Sequence, residues 1–216
     1  MINDFLIWLL DYVQYILLFP LTIAIIRKKY LKQELQFILY FIILGIFFEI
    51  LSRTISYYDR KLNTLPTLHL YTILEFIIIG LFYQSFFGNF FSKKLLPTII
   101  IGFVIFALIN AFFIQKLSNF NTYASGLESI IMIGLSLLCF YKMLIELDTR
   151  SPTKQPVFWI NSGFLFYFAG NLFIFSLSNF IKSDNHLLLL GWGMHAFLMA
   201  VLHIFIGIGL WQSHRR

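Results

Sequence analysis

Charge is what this chain has least of. Only 12% of its 216 residues are Asp, Glu, Lys or Arg, about half the share a soluble domain uses to cover its surface. That scarcity excludes an ordinary water-facing shell, and the mean hydropathy of +0.82 points the same way. One cysteine, Cys139, excludes an intrachain disulfide and leaves the redox compartment open. Placed in an apolar run, it reads as a small packing residue. The leader Met1-Ile2-Asn3-Asp4 has no basic residue, and Asp11 interrupts the apolar run behind it. The first run is therefore expected to stay in the mature protein, not to be removed as a signal peptide. No internal repeat of the kind many transporters carry is visible.

Long apolar stretches are what the chain has in abundance. Seven runs of about 20 residues, each long enough to cross a bilayer, are expected at 5–26, 35–55, 67–87, 95–115, 124–147, 157–180 and 187–211. The fold class is an all-α membrane protein, a bundle of seven transmembrane helices in a single domain over 1–216. Short connections make sequential helices antiparallel neighbours. They leave no room for a soluble catalytic, nucleotide-binding or DNA-binding domain, so the net charge of +6 is not read as a nucleic-acid signal.

The basic residues orient the bundle instead. Arg27, Lys28, Lys29, Lys32, Lys93, Lys94, Lys142, Arg150, Lys154, Arg215 and Arg216 fall on one side. Arg53, Arg60, Lys61, Lys116 and Lys182 fall on the other. The positive-inside rule puts the N-terminus outside and the C-terminus in the cytoplasm of a cell (inner) membrane, with several crossings. The cluster from Arg27 to Lys32 is expected to attract anionic headgroups of the membrane lipids.

In that orientation a rise of about 1.5 Å per residue places Glu49 roughly 9 Å deep, and Glu75 and His195 about 12 Å deep, from the outer surface. Asp11, Asn110 and Glu128 are comparable or shallower, and Asn171, Tyr15 and Tyr167 approach the midplane. The inner half is mostly Phe, Ile and Leu, with His203 and Asn161 as exceptions. Ionised groups in hydrocarbon cost at least about 2.5–3.5 kcal/mol, so they face protein or a wet cavity. Several at one level suggest a shared pocket open to the outside.

Each candidate has a plainer reading beside the functional one. Glu49 and Arg53 stand at i, i+4, in the favourable order for an intrahelical ion pair. Thr67, Tyr71 and Glu75 form one stripe on the third helix. There a tyrosine hydrogen-bonded to a buried Glu75 competes with a site role, while His69 points roughly 120° away from Glu75. Ser125 followed by Glu128 has the spacing of a capping box, which would place Glu128 at a helix start. Gly163, Tyr167 and Asn171 share a face suited to close helix contact, with Asn171 as interhelical glue. Trp192, His195, Met199 and His203 share a stripe of the last helix. No His-Glu-x-x-His sequence occurs, and the last helix has no lysine, so a retinal Schiff base has nowhere to form. Pro20 is expected to kink the first helix.

The segments Tyr71-Thr72-Ile73-Leu74-Glu75-Phe76 and Phe158-Trp159-Ile160-Asn161-Ser162-Gly163, with Trp192, His195 and Leu210-Trp211, resemble a group of small seven-helix bacterial membrane proteins. That resemblance covers most of the chain and implies no activity. The helix count is also similar to that of ceramidase-like lipid hydrolases, whose metal is held by several histidines with an aspartate and a serine. Here only His69 and His195 lie at a suitable depth, so the comparison is one of fold alone.

Three functions fit these residues. The first is a ligand-binding or sensory bundle whose acidic outer pocket takes a cationic or protonatable ligand and signals through a separate effector protein. Its pocket residues are Glu49, Arg53, His69, Tyr71, Glu75, Tyr167, Asn171 and His195, with Asp11, Asn110 and Glu128 at the margin. The second is an intramembrane lipid hydrolase, with a divalent metal among His69, Glu75 and His195. The third is proton-coupled transport, which the apolar inner half disfavours. Whether the protein is an enzyme is left open by the residues alone.

Overall fold

The computed structural model describes residues 2–31, 33–58, 63–146, 151–181 and 185–213, with side chains at 2, 176–181 and 185 left out of that description. Every element among them is helical. Seven helices are long and apolar enough to cross a membrane: α1 Asn3–Ile26, α2 Glu34–Tyr58, α3 Leu65–Phe87, α4 Leu95–Ile114 and α5 Thr122–Glu146, then α6 Pro156–Ile181 and α7 Asn185–Gln212. These match the apolar runs to within a few residues. Leu144 at 78% exposure and Phe113 at 84% are too apolar to be left in water in such numbers, and they suit a lipid-facing surface. The chain is a multi-pass helical membrane protein.

Local chemistry explains most departures from regular helix. Pro66 occupies the first turn of α3, where its missing N–H costs nothing. Pro20 in α1 cannot donate to the carbonyl of Ile16, and its ring crowds that carbonyl. The strain is taken up immediately upstream, where Val13–Leu17 winds as a 3-10 segment. The kink expected at Pro20 is thus a tightened stretch before it. The last turn of α4, Asn110–Ile114, widens to a π-helix, with the Gln115 N–H donating to the Asn110 carbonyl at 2.7 Å.

The chain divides into two compact units, Lys32–Glu128, and Met1–Leu31 with Ser129–Arg216, so their boundary falls inside α5. In the first, α2 packs on α3 and α3 on α4. Phe76 of α3 stacks on Phe103 of α4 with ring centroids 3.8 Å apart. Gly80 is pressed against Ile100, so α3 and α4 run antiparallel. Ile38, Ile42, Ile79, Phe82 and Tyr83 complete a fully buried core.

In the second unit α6 and α7 make the most extensive contact. Lipid is as apolar as leucine, so close packing, not the hydrophobic effect, holds such helices together, and small residues permit it. A Cβ at Gly209 would lie 2.8 Å from the Pro156 carbonyl oxygen, and one at Gly163 would lie 2.9 Å from Phe205. Helix α1 lies along α7 in parallel: Leu6 seats at Gly193 and Phe19 at Gly207, and Arg27 reaches Trp211.

Candidate functional site

A polar layer lies inside the first unit, toward the end where α3 begins, α4 ends and α5 begins. Tyr71 and Glu75, one helical turn apart, share a face of α3, and the Tyr71 hydroxyl donates to Glu75 Oε1 at 3.3 Å. Glu75 is only 4% exposed. Glu128 of α5 is 3% exposed, and its carboxyl lies close enough to Glu75 for the two charges to interact. Its Oε1 is buried and accepts no hydrogen bond. None of the ion pairs among the described residues involves either carboxyl.

This placement overturns the capping-box reading of Glu128. Helix α5 begins at Thr122, and the Ser125 N–H is already bonded to the Asn121 carbonyl at 3.0 Å. Glu128 therefore stands about 9 Å inside the helix, too far along to reach back to an N-cap.

Around this pair the helix ends are closed by amides. Asn110, fully buried, donates through Nδ2 to Gln115 Oε1 at 3.2 Å and Asn121 Oδ1 at 3.1 Å. Gln115 Nε2 donates to Thr122 Oγ1 at 2.7 Å, and Gln115 Oε1 also accepts from the Tyr123 N–H. The Nε2 of buried His69 pairs with the Asn119 carbonyl at 3.1 Å, while its Nδ1 is buried without a partner. Asn119 and Asn121 escaped the sequence reading because they lie between the apolar runs, and Gln115 because it is the last residue of one. Five amide or hydroxyl residues in the eight from Gln115 to Thr122 were the available signal.

Other candidates are elsewhere. Arg53 Nε meets Glu49 Oε1 at 2.6 Å, with side chains 53% and 38% exposed, so these two neutralise each other on an outer face of α2. Asp11 is exposed, and its backbone carbonyl accepts from the Gln14 side chain.

The second unit holds its own polar contact. His195 Nδ1 lies 2.9 Å from Asn171 Oδ1, joining α7 to α6. The rings of Tyr167 and Trp192 flank the imidazole, each 5.8 Å away between centroids. An imidazole N–H donating to an amide oxygen across two helices is the interhelical glue expected of Asn171. Replacing Asn171 by leucine strands that nitrogen and should lower stability by about 1–2 kcal/mol. Thermal denaturation in detergent reads the loss, and an unchanged midpoint would show that the contact contributes nothing.

Among the described residues no group of three or more His, Cys, Asp or Glu is arranged to hold a metal ion. The set His69, Glu75 and His195 therefore finds no metal geometry. No family model matches the chain, and neither a curated protein nor a solved structure is detectably similar to it.

Proposed function

We propose that this protein binds a small cationic or protonatable ligand at the Glu75–Glu128 pair, and acts as a receptor that signals through a partner protein. The carrying observation is a buried carboxyl, Glu128, with an oxygen that accepts no hydrogen bond beside a second buried carboxyl, Glu75. A carboxyl that ionises in such a site needs positive charge next to it, and no lysine or arginine among the described residues is ion-paired with either group. A ligand ammonium or guanidinium would meet that need, with the Tyr71 ring beside Glu75 offering an aromatic face.

The eleven-to-five distribution of basic residues supports an orientation in which this end of the unit opens away from the cytoplasm.

Purified protein titrated with methylammonium, guanidinium and tetramethylammonium should show a saturable rise in thermal stability. A ligand at a hundred times its Kd contributes about 2.7 kcal/mol. Glu75→Gln and Glu128→Gln should abolish the rise, and Glu49→Gln should leave it intact. Equal responses in all three variants, or none in the native protein, would refute the proposal.

A further inference from the structure

We propose that Arg27 forms, on the face of Trp211, a binding site for the phosphate of an anionic phospholipid headgroup. The residue closes α1, and its guanidinium carbon lies 4.1 Å from the centroid of the Trp211 ring at the end of α7. Stacking fixes the plane of the guanidinium and satisfies none of its five N–H donors. The Nε is buried and has no acceptor, and no carboxylate among the described residues pairs with the side chain. An arginine that merely snorkels into water would not bury that nitrogen.

The surroundings select the acceptor. Lys28 and Lys29 follow in a short, exposed 3-10 turn, so an incoming group meets only positive charge on this element. A planar guanidinium presenting paired N–H groups matches a phosphate in two-point fashion.

Just before Arg27, Ile25 and Ile26 are 65% and 62% exposed. A soluble phosphate would leave that apolar wall unused, whereas the acyl chains of a lipid would lie against it. The ligand is therefore a phosphodiester carrying hydrocarbon, held at the membrane–water boundary, where the α1 and α7 ends meet.

The test uses the full chain in detergent, titrated with dioleoylphosphatidylglycerol or dioleoylphosphatidylcholine and followed by native mass spectrometry. The anionic lipid should bind at least about tenfold more tightly than the zwitterionic one, and Arg27→Gln should remove most of that preference. Arg27→Lys, which keeps the charge and loses the fork, should recover only part of it. Equal binding of the two lipids would overturn the proposal, as would Arg27→Gln behaving like the native protein. Displacement of the lipid by millimolar inorganic phosphate would overturn the lipid assignment, since the apolar wall would then contribute nothing.

Discussion

Replacing Glu75 and Glu128 together by methionine should raise the thermal midpoint of the detergent-solubilised protein by roughly 4–8 °C. Both carboxyls are buried, they repel when charged, and Glu128 Oε1 accepts no hydrogen bond. Replacing a buried ion pair by apolar groups of similar volume often stabilises by about 1–4 kcal/mol, two buried carboxyls without an ion-pair partner have less to lose, and methionine fits irregular space. The change also strands the Tyr71 hydroxyl, which now donates to Glu75, and that offsets about 1 kcal/mol. Adding Tyr71→Phe should therefore recover a further increment. The gain and the loss of amine binding should appear in the same variant, as expected where a site is retained at the expense of stability. Tryptophan fluorescence during heating measures it. A lower midpoint would mean that the carboxyls hold the unit together, and the ligand proposal would lose its physical basis.

Asn110→Leu should have the largest effect in the opposite direction, a loss of about 2–3 kcal/mol. Asn110 is wholly buried and sits where α4 widens. Its Nδ2 is shared between two acceptors, Gln115 Oε1 and Asn121 Oδ1. Leucine removes both bonds. Gln115 Oε1 still has the Tyr123 N–H, so the penalty falls on Asn121, which is itself buried. The double variant with Asn121→Leu should cost less than the two singles added, because the stranded group is then absent. Asn119→Ala is the control: only its backbone carbonyl is used, by His69, and it should be nearly neutral. Denaturation curves for the four proteins decide whether the network is coupled in this way.

The architecture was legible because a bilayer demands about 20 apolar residues per crossing, a requirement visible in composition alone. The Glu49–Arg53 pair and the Tyr71–Glu75 bond were legible too, since both are set by helical spacing within one segment. Glu128 was misread for the converse reason. The Ser125–Glu128 spacing is a local pattern, and only the start of α5 at Thr122 shows that the glutamate lies inside the helix. Gln115, Asn119 and Asn121 act by folding back across a chain reversal, which periodicity cannot register. The Trp192 ring beside His195 follows from their spacing on one helix, but the approach of Tyr167 from α6 is a contact between segments with no sequence spacing to announce it.

The 3-10 stretch in α1 has a geometric result beyond relieving Pro20. Thirteen residues separate Leu6 from Phe19. At about 100° per residue throughout, they would project some 220° apart, on nearly opposite sides. Winding the five residues Val13–Leu17 at about 120° each adds roughly 100°, bringing the two within about 40° of one another. That rotational correction lets both side chains dock on glycines of the same helix, at Gly193 and Gly207. Exchanging Pro20 for a helix-forming residue would thus do more than straighten α1: it would put its two halves out of phase against α7.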